Sequence, residues 1–200
     1  MNLHLLDSVC PHMTTRSGDW SAKKRRSCLT VFVLIRTARP DDLARLQAIE
    51  VAAGEAFRSI GMDAIADGEP PSIDNLAAYA ESGRAWAAAD TIGEPVGYFI
   101  VDEVGGCVHI AQVTVHPLYS RQGIGRRLIE RAASWGAARQ LRGLTLTTFQ
   151  DVPWNASYYR RLGFQTVPQE VWSEGLRLIV ENEADMGLAA WPRVVMKRGI

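Results

Sequence analysis

Helical and strand-like segments alternate along this chain in a mixed order, which predicts an α/β (α+β) domain built in three layers. Three observations carry that expectation. Apolar residues recur at three- and four-residue steps in some segments, as at Leu43, Leu46, Ile49 and Ala53. Short β-branched or alternating runs occupy others, as at 108–115 and 144–149. Glycine and proline punctuate the junctions between them. With 200 residues, 47% apolar and 22% charged, the chain has the balance of one globular domain with a real core. That composition excludes a disordered chain, a collagen-like repeat and a multispan membrane protein.

Residues 1–28 differ from the rest. They hold polar scatter and the basic run Lys23-Lys24-Arg25-Arg26, followed by an apolar run over 29–35. That order resembles a signal peptide, but the apolar run is short, ends at Arg36 and is followed by no small-residue cleavage site. It is also too short to span a bilayer. Its β-branched content predicts a first buried strand, with 1–28 as a mobile tail and 29–200 as the domain. A helix is expected from Pro40, capped by Asp41, and a second short helix over 73–79. Strands are expected over 85–89 and 95–101, joined by the turn Gly93-Glu94-Pro95, and then over 108–115 after Gly105-Gly106. A helix over 125–139 presents Leu128, Ala132 and Gly136 on one stripe, with Arg127, Glu130 and Arg131 off it. Then come a strand over 144–149, a helix over 155–162, a strand over 164–167, a helix over 176–183 and a last strand over 194–197.

Basic and acidic residues balance at 22 each, so net charge makes no case for nucleic acid or an anionic membrane. The charges are nevertheless segregated: 41–83 is net −7 and 116–142 is net +5. Cys10, Cys28 and Cys107 form no CxxC pair, so neither a disulfide framework nor a zinc site is expected, and a reducing cytoplasm is the simplest location.

Two stretches carry chemistry. Val113-Thr114-Val115-His116-Pro117 leads through Ser120-Arg121-Gln122-Gly123-Ile124-Gly125-Arg126 into a helix. Glycines there let backbone approach an anion, and the free N–H groups and dipole of a helix start favour phosphate oxygens. Arg121, Arg126 and Arg127 add positive charge. By itself the pattern is also that of a tight strand-to-helix turn, and it is neither a Walker A loop nor a full dinucleotide fingerprint. The second stretch is Asn155-Ala156-Ser157-Tyr158-Tyr159-Arg160-Arg161-Leu162-Gly163-Phe164. Asn155 starts a short helix, Tyr159 lies one turn on, and Gly163 ends it.

Taken together, in this order and spacing, the two stretches resemble the GNAT superfamily of N-acetyltransferases. Residues 113–126 look like that family's motif A and 155–164 like its motif B, and Ile35-Arg36 before Pro40-Asp41-Asp42 resembles the usual start of the domain. The resemblance spans roughly 33–198. Ser120 departs from the family's first motif position, in a loop that binds mainly through backbone. The resemblance implies a mixed, mostly antiparallel central sheet of six to seven strands flanked by helices. It implies acetyl-CoA as cosubstrate, with no metal, and direct acetyl transfer to an amine. Val113, Thr114 and Val115 would pair with the pantetheine arm, and the Val115 N–H would polarise the thioester carbonyl. The backbone of Arg121, Gln122, Gly123, Ile124, Gly125 and Arg126 would cradle the pyrophosphate. Asn155 would bond the pantetheine, and Tyr159 would protonate the leaving thiolate, with Tyr158 packing elsewhere.

The general base is not evident. Many relatives carry a glutamate at the position that is Ala111 here; His109 and Gln112 flank it, while Glu50, Glu55 and Glu103 could act through water. A small cationic amine is the expected acceptor, since the acidic 41–83 segment would wall the acceptor cleft. Nucleic acid and membrane partners are not expected, and a homodimer is compatible with the sequence. The alternatives are a protein or peptide N-acetyltransferase and a non-catalytic acyl-CoA-binding or regulatory module.

Overall fold

The computed structural model describes residues 32–200; the tail expected over 1–28, and residues 29–31 of the expected first strand, lie outside the described residues. Seven strands form one sheet: β1 (Leu34–Thr37), β2 (Ala85–Ala89), β3 (Pro95–Val104), β4 (Cys107–Val115), β5 (Gly143–Phe149), β6 (Gln165–Thr166) and β7 (Arg193–Gly199). Their spatial order is β1-β2-β3-β4-β5-β7-β6. Every neighbouring pair is antiparallel except β4 and β5, so the mixed, mostly antiparallel sheet is as expected.

Helices cover both faces. On one side α1 (Leu43–Arg58) crosses β3 and β4, α3 (Ile73–Glu81) packs on β2, and the short α2 (Asp63–Ala66) follows α1. On the other, α4 (Ile124–Ala137) lies over β3, β4 and β5, with α5 (Ala156–Arg161) beside it in the same core cluster. The strand β2 explains how both faces are filled: Ala85 and Ala87 face the side of α1 and α3, while Trp86 turns to the α4 side and stacks on Phe99 with ring centroids 4.7 Å apart. Alanines on the first face let α3 pack closely on β2.

α1 buries the expected stripe Leu43, Leu46, Ile49 and Ala53 and extends it to Phe57. Its start differs from expectation by one residue. Asp42, not the exposed Asp41, accepts the Arg39 N–H at 2.7 Å, and it also takes Arg36 at 2.6 and 2.9 Å. A charged, bidentate partner on β1 outweighs the equivalent cap one residue earlier. α2 was not expected; Met62, Ile65 and Ala66 bury against the end of β5, which holds a single turn that the surrounding glycines would otherwise leave unformed. The helix α6 (Glu174–Asp185) lies between β6 and β7 and is pinned to the sheet by Glu183, which pairs with Arg193 at 2.9 Å and accepts from Thr147. Among the described residues no helix is long and apolar enough to cross a membrane.

Candidate active site

β4 and β5 run side by side but pair only at Val108–Leu144 and His109–Thr145, although they continue to Val115 and Phe149. The cause is at Ala111. The pairing of β3 with β4 passes from Ile100–Gln112 directly to Val101–Ile110, leaving Ala111 as an extra residue. Such a bulge bends its strand and sharpens the twist, and the second half of β4 leaves β5. Past the bulge, His116 donates its N–H to the Val96 carbonyl on β3 at 2.8 Å. Backbone groups alternate sides along an antiparallel edge, so Thr114 faces β3, and Val113 and Val115 turn their N–H and C=O into the gap beside β5. At Gly97 on β3 a Cβ would fall 2.9 Å from the Thr114 carbonyl oxygen, so only glycine allows this approach.

The gap opens toward a cavity of about 300 Å³ at the start of α4. Of the residues expected to bind cofactor, Val115, Arg121, Gly123, Ile124, Gly125 and Arg126 line it. Arg121 and Gly123 both take left-handed backbone (φ 62° and 75°), which turns the loop tightly onto the helix. A Cβ on Gly123 would meet no protein atom within 4 Å, so the space before the helix N-terminus is open to a ligand. Free N–H groups, the helix dipole and two arginines there suit a pyrophosphate. Arg127 does not contribute as expected: its guanidinium donates to the Val33 carbonyl at 2.7 Å, tying α4 to the start of β1.

Val113, Thr114, Gln122 and Asn155 are not part of that lining. Val113 packs in the core beneath α4, Thr114 turns its side chain to the α1 face, Gln122 is half-buried in the loop and Asn155 is buried at the head of α5. α5 closes in a Schellman motif: Phe164 N–H donates to the Tyr159 carbonyl at 3.0 Å and Gly163 N–H to that of Arg160 at 3.0 Å, with Gly163 at φ 87°. Phe164 and Tyr159 meet edge-on at 5.7 Å, which fixes the Tyr159 ring in the core. Burial raises the Tyr159 phenol well above its usual range, so it keeps its proton. Tyr158, expected to pack away from the site, instead lines the cavity, edge-on to Tyr159 at 5.6 Å.

The opposite face holds Glu50, one of the carboxylates the sequence offered as a base through water, in surroundings the sequence did not reveal. Glu50 sits inside the apolar stripe of α1, buried, and accepts three hydrogen bonds: from Tyr98 Oη at 2.9 Å, Gln112 Nε2 at 2.8 Å and Thr114 Oγ1 at 2.7 Å. Burial pushes its carboxyl up to about 7, against the pull of those donors. A glutamate three residues before Ala53 and four after Leu46, within a core-facing stripe, is the signal in the sequence for its burial. The other candidates lie elsewhere. His109 is buried beside Thr145 with Nδ1 3.2 Å from its hydroxyl, and burial lowers its pKa to about 3. Glu55 pairs with Arg58 and Glu103 with Arg139, both at the surface.

Residues 47–164 match the Acetyltransferase (GNAT) family. The chain belongs to that family. This GNAT enzyme also shares its fold with an acetyltransferase of the GNAT family from Staphylococcus aureus, at 11% identity and TM-score 0.65 over 84% of this chain and 99% of that one. N-acetylglutamate synthase from Neisseria gonorrhoeae, complexed with coenzyme A and N-acetyl-glutamate, is similar at 17% identity and TM-score 0.62, over 84% of this chain and 35% of that one. A ribosomal-protein-alanine N-acetyltransferase from Escherichia coli is similar at 20% identity and TM-score 0.58, over 84% and 94% of the two chains. The protein is thus an acetyl-CoA-dependent acyltransferase.

Proposed function

We propose that this GNAT enzyme transfers acetyl from acetyl-CoA directly to the primary amine of a small cationic acceptor. The observation that carries the acceptor class is the acidic surplus at the end of α1. Three carboxylates, Glu55, Asp63 and Asp67, surround the single guanidinium of Arg58 at 3.3, 3.4 and 2.7 Å. Beside them, where β5 ends, a second cavity of about 370 Å³ is walled by Met62, Phe149 and Trp191, with Asp151 on its lining. Apolar aromatic walls with carboxylates around them suit an amine that has an apolar body and a positive charge. Not all of the acidic 41–83 segment contributes: Asp42 is matched by Arg36, and Glu50 is inside the fold.

The residue roles follow the same reading. The Val115 N–H, turned into the gap, would meet the thioester oxygen as negative charge develops on it. The backbone at 121–126 would hold the pyrophosphate, the backbones of Val113 and Thr114 would frame the pantetheine arm, and Asn155 would bond it from the head of α5. Tyr159, protonated, would supply the proton that the thiolate takes on leaving. The test is kcat/KM for acetyl transfer over a panel of amines of differing charge, with acetyl-CoA binding followed by calorimetry. Cationic amines should be preferred by at least about tenfold. A preference for anionic or neutral acceptors overturns the acceptor class; tight acetyl-CoA binding with no CoA release from any amine or peptide would make this a binding module instead.

A further inference from the structure

The paired starts of β4 and β5 border a third cavity, of about 340 Å³, which shares no lining residue with the cavity at α4 or with the one beside Trp191. Cys107, Thr145 and Leu176, all buried, form its floor. The half-buried Trp172 stands in its wall, and the exposed Arg142 and Lys197 bring two cations to its rim. Close packing around the space shapes it. Gly105, in the turn between β3 and β4, lies so near the head of α6 that a Cβ there would fall 2.5 Å from Ser173 Oγ. On Gly175 a Cβ would fall 2.8 Å from Val104. The Trp172 indole donates to the Val167 carbonyl at 2.9 Å and Arg142 Nη2 to the Gly105 carbonyl at 2.8 Å, which fixes wall and rim in place.

The charge of this cavity is one-sided. No carboxylate lines it, and among the described residues neither Arg142 nor Lys197 forms an ion pair. Glu103 on β3 is paired with Arg139, and Glu170 and Glu174 are exposed outside the lining. We propose that the cavity binds a small carboxylate with an apolar body, its charged end between Arg142 and Lys197 and its body against Trp172 and Leu176. Arg142 uses one of its N–H donors on the Gly105 carbonyl, which leaves others for a carboxylate, and the Lys197 ammonium supplies a second charge-assisted partner. The apolar floor and the indole would shed water onto the ligand's body, as mostly apolar pockets with a few polar groups do. At a water's share of about 30 Å³, the space admits on the order of ten non-hydrogen atoms, the size of an arylacetate. Neither the donor loop nor the acidic wall of the acceptor cavity takes part, so this binding is independent of the transfer reading above.

The experiment is calorimetric titration of the full chain with phenylacetate, phenylacetamide and acetate, each with and without saturating acetyl-CoA. Phenylacetate should bind with a Kd of about 1 mM or tighter. Saturation with acetyl-CoA should change that Kd by less than about twofold, because the two ligands occupy separate cavities. Phenylacetamide, which lacks the charge, and acetate, which lacks the body, should each bind at least about tenfold more weakly. Lys197→Glu, which turns an attraction into a repulsion, should weaken phenylacetate about tenfold, and Arg142→Gln about three- to fivefold. The second variant keeps the test decisive if the first does not fold. No binding of phenylacetate up to about 10 mM, equal affinity for the amide, displacement by acetyl-CoA, or unaltered affinity in both variants would each overturn the proposal. None of those results would touch acetyl transfer to amines, which is measured separately.

Discussion

At the scale of single residues, burial decides which titratable groups can act. Tyr159 and His109 are both enclosed, with opposite consequences. Burial holds the phenol in its protonated, donating form, and it holds the imidazole neutral and inert. Tyr159→Phe should therefore lower kcat about 10- to 10³-fold with acetyl-CoA affinity almost unchanged, since it deletes only the proton donor proposed above. A normal kcat in that variant would show that another acid serves the thiolate. His109 should instead mark stability. Its pKa falls from 6.5 to about 3 on folding, so below about pH 6.5 the unfolded chain takes up a proton that the folded chain refuses. Its contribution is complete above that pH and is lost as pH falls toward 3, at up to about 1.4 kcal/mol per pH unit. Glu50 acts in the other sense, its raised pKa eroding stability as pH climbs from about 4.5 to 7. Thermal unfolding between pH 4 and 8 should thus show a flatter acid limb in His109→Gln and a steeper one in Glu50→Gln. Curves parallel to the wild type would mean that neither group is buried as described.

At the scale of elements, the candidate site is a strand that leaves its neighbour and a helix that starts where the chain can turn back. Ala111 makes the first possible and Gly123 the second. Gly123→Glu should nearly abolish acetyl-CoA binding while the fold survives. The new side chain meets no protein atom, but its carboxylate would stand in the open space before α4 and repel a pyrophosphate. The left-handed backbone adds a penalty of about 1 kcal/mol or more, which a melting curve would record separately. Unchanged affinity by calorimetry would remove this loop from the donor site. Much of this was legible in the linear chain. The strand–loop–helix order, the glycines and the capped α5 are local features, and local features follow from spacing. The bulge also left a trace: apolar residues step by three from Ile110 to Val113, then by two to Val115, which breaks the alternation of a regular strand. What that trace does to β5 depends on a partner strand about thirty-five residues away in sequence.

At the scale of the whole molecule, the charge segregation of the chain becomes a separation in space, with the basic block around the start of α4 and acidic surplus at the end of α1. Surface fields of this kind are screened over about 8–10 Å at ordinary salt. Acetyl transfer to a cationic amine should therefore lose efficiency between low and high salt, mostly through KM, and Asp151→Asn should weaken that dependence. A rate for a cationic acceptor that does not fall with salt would detach the acidic wall from recognition.

The sequence alone determined the order of strands and helices apart from α2, the glycine-bearing loop before α4, the short helix that carries Tyr159 and the family resemblance, because each depends on residues close together in the chain. Only the tertiary structure decided which charges act. Arg127 went to a backbone carbonyl, Asp42 to Arg36, and Tyr158 into the cavity wall. Glu50 became the centre of a buried cluster because Tyr98, Gln112 and Thr114, distant from it in the chain, meet on one face of the sheet. A carboxylate's solvation and partners are properties of three-dimensional neighbours, and these set its proton affinity.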